Sequence, residues 1–188
     1  MQEFTHEIKN FINDMLKNVH TMLLAKIETF NPETCLASVT PYAKYRKKDG
    51  TLIDFPVISQ VPVYVMQANN QSATIAMPIK KDDKCLLLFS EQALDVWRSN
   101  GEIADADLSF DLTNAIAIVG MFAKPNSLVT EACEDNAIII QSDGGKIKVN
   151  EDGTQITASG EINIIANGPV NLSSAGEVTV KGSRVSIN

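Results

Sequence analysis

Five apolar-polar-apolar steps and one lone isoleucine, set off by glycines, occupy residues 145–188 of this 188-residue chain. They are Ile147-Lys-Val149, Ile156, Ile162-Asn-Ile164, Val170-Asn-Leu172, Val178-Thr-Val180 and Val185-Ser-Ile187. Their first residues lie nine, six, eight, eight and seven positions apart, with Gly145, Gly153, Gly160, Gly168, Gly176 and Gly182 beside them. Side chains alternate across a strand, so each step reads as a short strand with one apolar face, and each glycine as a turn. A strand of this length does not bury its face alone, and a repeat of such strands needs neighbours to complete a core. One apolar pair per turn is too little to fill a wide single-chain solenoid. Three copies wound around a shared axis supply enough, which predicts a trimeric, needle-like β-helix. The plainer alternative is a β-meander or an edge-rich sandwich. The trimer reading places Ile147, Val149, Ile156, Ile162, Ile164, Val170, Leu172, Val178, Val180, Val185 and Ile187 on the axis. Asn163, Asn171, Thr179 and Ser186 then face outward.

The length allows one or two small domains, and a hydrophobic share of 44% suits a folded chain. No apolar run approaches the ~20 residues of a membrane span. The N-terminus shows no cleavage site, and no signal peptide is expected. A net charge of −7 argues against general binding to nucleic acid or anionic membrane. Cys35, Cys85 and Cys133 are widely spaced and odd in number, so free thiols are expected and no metal spacing is found.

Residues 4–23 read as a helix. Phe4, Ile8, Phe11, Met15 and Met22 form one stripe, with Asn18 where a further apolar residue belongs. Ile12, Leu16, Val19 and Leu23 lie beside it and make the face wider than a two-stranded seam. Such a helix packs on the following domain of its own chain or on two copies of itself. Strand signals then follow at Leu23–Phe30, Leu36–Tyr42, Val61–Met66, Ala73–Ile79, Cys85–Phe89 and Ala115–Val119. Lys48-Asp49-Gly50 marks a hairpin, Glu91–Ser99 a short helix, and Pro125-Asn126-Ser127 a linker before Ile138–Ile140 opens the repeats. Five or so strands with one helix in about 100 residues suit a small closed barrel such as the OB-fold.

Three runs carry a family resemblance. Arg46-Lys-Lys-Asp49-Gly50 precedes Phe55-Pro56 and Val61-Pro62-Val63. Pro78-Ile-Lys-Lys-Asp-Asp83 leads through Leu88-Phe89-Ser90-Glu91 to Leu94-Asp95-Val-Trp97 and Gly101. The third run is Asp111-Leu-Thr-Asn114-Ala115-Ile-Ala-Ile-Val-Gly120. Over roughly residues 22–122 the chain resembles the N-terminal OB domain of the central baseplate spike of contractile-tailed phages, of the phage-Mu-like type. Asp82-Asp83 stands where that family has Gly-Asp. Related spikes often close on a His-x-His metal site, whereas this chain ends Val185-Ser-Ile-Asn188 and has no histidine after His20. The tip is then capped differently, or sharpened by a separate protein.

Catalytic constellations are weak. Ser90 lies near Glu91 and Asp95, but His6 and His20 fall within the expected N-terminal helix, and there is no Gly-x-Ser-x-Gly elbow. Glu91 and Asp95 on one helical turn lie side by side rather than across a glycosidase cleft. Glu102, Asp105, Asp107 and Asp111 do not match an EF-hand and read as a solvated loop. Tyr42, Lys44, Tyr45, Arg46, Lys47 and Lys48 interleave aromatic and basic groups, which on an OB barrel can stack single-stranded nucleic acid. The plainer reading is a hairpin whose basic tip meets an acidic neighbour. Trp97, the only tryptophan, reads as a packing anchor in the barrel or between protomers.

The expected fold is mainly β: an N-terminal helix (1–21), an OB-fold barrel (22–125) and a C-terminal intertwined triple-stranded β-helix (126–188). The resemblance implies a structural, membrane-piercing spike of a phage tail or tail-like bacteriocin. The residues themselves add the expectation of no enzyme, cofactor or metal, since no histidine lies near a nucleophile, no His-x-His is present and the cysteines are scattered. The resemblance further implies a homotrimer that meets baseplate hub and tail-tube proteins, a separate tip protein where one sharpens the end, and transiently the target envelope. Its place would be the virion, after assembly in the bacterial cytoplasm. An OB-fold nucleic-acid-binding protein with a structural tail, or a baseplate cell-wall hydrolase, are the alternatives.

Overall fold

The structure, a computed structural model, describes residues 2–16, 19–47, 49–101 and 109–186. Asn18, Lys48, Glu102, Asp105, Asp107 and Ile187 therefore lie outside the described residues. The chain divides into two compact units, Met1–Lys124 and Pro125–Asn188. It is mainly β, with a helix at its N-terminus and a curled sheet in the first unit.

That sheet has five strands in the order β5-β2-β1-β8-β9, all paired antiparallel. They are β1 (Met22–Asn31), β2 (Leu36–Pro41), β5 (Ile58–Pro62), β8 (Lys84–Phe89) and β9 (Ala115–Val119). Alternation sends Ala25 and Ile27 of β1, Ala37 and Val39 of β2, Cys85 and Leu87 of β8, and Ala115 and Ala117 of β9 to one interior. Ile58, Val61, Val63 and Phe89 complete that core. Register shifts between Ile27 and Thr29, and between Ala37 and Val39, bend the central strands. The curl brings the outer strands together. Val63, just past β5, forms a parallel bridge with Ala117 of β9, and the Tyr64 N–H donates to the Ala117 carbonyl at 2.8 Å.

The link into β8 turns at Asp82, whose φ of +69° lies in the left-handed region that glycine adopts most easily. Its geometry is held by three bonds. The Asp82 N–H donates to the Ile27 carbonyl at 2.8 Å, the Ile27 N–H to the Asp83 carbonyl at 2.9 Å, and the Lys80 N–H to Asp83 Oδ2 at 2.8 Å. Aspartate tolerates this conformation through its short polar side chain, so Asp82-Asp83 serves the turn.

Two hairpins are paired apart from the five-stranded sheet. β3 (Lys44–Arg46) pairs with β4 (Leu52–Asp54) across the Asp49-Gly50 turn, where Gly50 takes φ +89° and Asp49 Oδ1 accepts the Thr51 N–H at 2.8 Å. β6 (Met66–Ala68) pairs with β7 (Ala73–Ile75) through Asn69, Asn70 and Gln71, all at positive φ. The runs Val61–Met66 and Ala73–Ile79 are thus each strand for only part of their length, because the closing bridge at Val63 and a tight hairpin divide them.

The helix α1 (Gln2–Leu16) ends earlier than its apolar spacing suggests. Met22 and Leu23 fit a helical stripe and a strand equally well. They open β1, where they pair with Leu88 and Leu87, because cross-strand bonding to β8 wins over helical continuation. The described side chains of α1 are exposed, so packing on the following domain is not realised. His20 likewise lies past the helix, its ring 5.8 Å from Phe55 and 5.5 Å from Phe89 between centroids. The short helix α2 (Leu94–Asn100) leaves Trp97 61% exposed, so the tryptophan is no anchor within the core of the curled sheet.

The second unit contains a helix that the linker reading missed. Asn126 accepts the Leu128 N–H at 3.0 Å and caps α3 (Ser127–Glu134). It precedes an antiparallel meander of β10 (Ile138–Ser142), β11 (Gly145–Asn150) and β12 (Gly153–Ala158). Gly145 is needed where β11 approaches β12: a Cβ there would lie 3.3 Å from the Thr157 carbonyl oxygen. The first two repeat steps are therefore strands of a meander. From residue 161 to 186 the described chain forms no strand, and no β-helix forms within a single chain.

Core dependence is directly measurable. Leu87 is fully buried and Leu88, one position on, is exposed. Leu87→Ala is expected to lose about 2–5 kcal/mol in chemical denaturation, and Leu88→Ala less than half of that.

Candidate functional site

Cross-strand partners point to the same face of a sheet. The registers Ile138–Val149, Ile140–Ile147 and Ile147–Ile156 therefore gather five apolar side chains on one face of the β10-β11-β12 meander. All five are exposed, Ile138 at 70%. The opposite face carries Ile139, Lys146 and Lys148, all partly buried. Here α3 is pinned by charge. Lys146 pairs with Glu131, and Lys148 pairs with Asp135 and, at 3.7 Å, with Glu131. The Asp135 carboxylate, hydrogen-bonded to Lys148, and the Glu131 charge raise the Lys148 pKa above its ordinary value. The meander thus has one covered face and one bare apolar face.

The bareness continues along the tail. Ile162, Ile164, Val170, Leu172, Val178, Val180 and Val185 are all exposed, Leu172 at 77%. Ile165 reaches 88%, although the step pattern gives it no role. Apolar surface on this scale, on backbone without strand partners among the described residues, is the feature that sets this unit apart. What the chain offers chemically is apolar area and strand edges.

The groups considered for other chemistry are dispersed or already engaged. Tyr42 lies under Lys84, whose Nζ is 5.2 Å from the ring centroid. Lys44 pairs with Asp54 at 2.9 Å across the basic hairpin. Arg46 and Lys47 are exposed there. Asp111 turns inward on its own loop: the Thr113 hydroxyl and N–H donate to its Oδ1 at 2.5 and 2.8 Å. These bonds, Thr113 hydroxyl first, with help from nearby His20, hold the Asp111 carboxyl below its ordinary range. Ser90 Oγ accepts the Gln92 N–H at 3.1 Å. Among the described residues, no three His, Cys, Asp or Glu side chains stand together to hold a metal ion. Nor, among them, is any helix long and apolar enough to cross a membrane.

One important side chain was missed by the sequence reading. Asn114 is the buried polar group of the first unit. Its amide donates to the carbonyls of Ser90 and Gln92 at 3.0 and 2.6 Å, and its Oδ1 accepts the Leu94 N–H at 3.0 Å. It caps α2 from a distance, in place of Ala93, and ties that helix to β9. The Ser-Glu and Asp-x-Trp run and the Asp-Leu-Thr-Asn run are therefore parts of one polar joint. Spacing in the sequence gave no sign of it.

Residues 23–120 match the family described as Phage protein Gp138 N-terminal domain. The match spans 98 of 188 residues, and the chain belongs to this family. It is a phage protein, and a structural role in the virion is consistent with that membership. No curated protein matches the chain.

Two measurements probe the joint. Asn114→Ala removes the side-chain partner of the Leu94 N–H and of the Gln92 carbonyl, and one of two donors to the Ser90 carbonyl, which keeps the Phe110 N–H. It is expected to lower unfolding free energy by about 1–3 kcal/mol in denaturant titration. Asp111 has a folded pKa below its unfolded one. Its contribution is then present above the ordinary carboxylate range and lost as pH falls through that range towards the folded value. The stability difference between the native chain and Asp111→Asn is expected to shrink between about pH 5 and pH 3.

Proposed function

We propose that this chain is the central spike of a contractile phage tail or tail-like bacteriocin, a homotrimer that punctures the target envelope mechanically. One observation carries the reading: the described repeat positions from Ile147 to Val185 are exposed in the single chain. Chains that pair their strands around a common axis would bury those positions and leave few free edges. A thin rod of three intertwined chains transmits axial force without a large core in any one of them.

The N-terminal unit supports the same reading. Its strand order, closed by a parallel bridge between the segment after β5 and β9, is the connectivity expected of an OB barrel. In this proposal the barrel seats the spike among hub and tail-tube proteins of the baseplate, and the repeat segment forms the needle. The acidic chain suits passage through an anionic envelope, since three copies triple a charge of −7.

The test is mass in solution combined with register. Light scattering is expected to give about three times the 20.5 kDa chain mass. Val170→Asp sets three carboxylates around the axis and is expected to break the trimer, at a cost of about 3–5 kcal/mol per buried, unpaired charge. Asn171→Asp, facing outward, is expected to leave it intact. A stable monomer at micromolar concentration rules out the spike, and equal effects at both positions rule out the axis assignment.

A further inference from the structure

The helix α1 presents a second apolar face that its own chain does not cover. Phe4, Ile8, Phe11, Ile12, Met15 and Leu16 are all exposed, with Phe4 at 67%. At about 100° per residue these six sweep an arc of roughly 140°, interrupted near one edge by Thr5. On the half of the arc nearer Glu7, Phe4, Ile8, Phe11 and Met15 step by four, three and four, the spacing of a coiled-coil seam. An arc this wide exceeds what one partner helix covers and matches the surface offered to two.

Charge selects the direction of packing. Glu7 lies just outside one border of the arc and Lys9 just outside the other, about 3 Å apart along the axis. In a parallel arrangement the Glu7 border of each helix faces the Lys9 border of the next. Carboxylate and ammonium then meet at nearly the same height around the ring. In an antiparallel pair, like borders face each other and Glu7 approaches the Glu7 of its partner. The borders therefore favour a parallel ring over an antiparallel pair. A parallel ring is also what a threefold axis requires.

We infer that α1 packs against α1 of two further copies of this chain, as a parallel three-helix bundle with Ile8 at its axis. The inference rests on the trimer proposed above and adds a second, helical clamp at the other end of the sequence. It gives the helix a partner that the barrel does not supply.

Cross-linking tests it in the full-length chain. Cys35 and Cys133 are exposed and are first changed to serine, while Cys85 is buried in the core, its pKa pushed up to about 11, and stays unreactive. Into this background go Ile8→Cys, in the centre of the arc, or Asn13→Cys, on the opposite side. Each protein is treated with a short bismaleimide, and its mass is measured by light scattering before treatment. Linked chains are expected to form about tenfold faster with Ile8→Cys than with Asn13→Cys, because the bundle raises the local concentration at its axis. Glu7→Lys added to Ile8→Cys is expected to slow linking, and Lys9→Glu on top of it to restore the rate. A trimer in which both cysteines link equally, or neither links, overturns the bundle and leaves the spike standing. A chain that runs as a monomer overturns both. A trimer whose Glu7→Lys variant links as fast as its parent overturns the parallel ring.

Discussion

Every apolar strand face needs a cover, and this chain meets that requirement in one unit while leaving it open in the other. In the first unit the cover is the sheet itself. Ile27 and Leu87 face a common interior because the strands bend at their register shifts and the outer ones meet at Val63 and Ala117. Neither outer strand keeps a full free edge, and the core is complete in one chain. In the second unit the meander receives α3 on one face only, through Lys146 and Lys148. Its other face and the tail have no internal cover. The difference follows from strand length and connection. Five strands of five to ten residues, with register shifts in the central pairs, curl until the outer ones meet, whereas the three strands of the meander, five or six residues each and paired without a shift, leave one face open.

The polar joint at Asn114 shows how the first unit makes its surface specific once the core is closed. Burying an amide is unfavourable unless its hydrogen bonds are made. Here two donated bonds and one accepted bond fix the start of α2 against β9. This leaves Trp97 on the outer side of the helix. Asp111 is likewise oriented by Thr113, whose hydroxyl and N–H both donate to it. The acidic and aromatic residues that stand out in this stretch are therefore arranged by a neighbour that does not.

Much of the fold was legible because single residues decide it. Asp49-Gly50 fixes a hairpin by the conformational freedom of Gly50, and Cys85–Phe89 and Ala115–Val119 announce themselves as strands by apolar content alone. What escaped depends on partners distant in sequence. Met22 and Leu23 are strand rather than helix because Leu88 and Leu87 lie beside them. His20 leaves the helix for the same reason and meets Phe55 and Phe89. The helix α3 was hidden by Pro125-Asn126-Ser127, which reads as a linker although Asn126 is its cap. Asn114 was invisible as a joint, since its three partners lie about twenty residues upstream. Of the repeat positions, alternation groups Ile147, Val149 and Ile156 on one face, and the register places Ile147 beside Ile156.

The uneven completeness of the chain has a consequence for how it assembles. A curled sheet with its own core folds from contacts within one chain, so its formation does not depend on concentration. In the proposed trimer the apolar ribbon would not reach its stable state alone, and its burial would wait for other copies. Between those two events the ribbon is an aggregation hazard, with open edges and apolar steps. The sequence limits the hazard in three ways. No step but Ile162–Ile165 holds more than two apolar residues, a polar residue follows each of the others, and the chain as a whole is acidic. A helix at the opposite end that recruits only parallel copies of itself would limit it further, by bringing ribbons together in threes and in the same direction. Order of assembly, not added stability, is then the physical reason for a chain of this kind to carry an apolar helix that its barrel does not use.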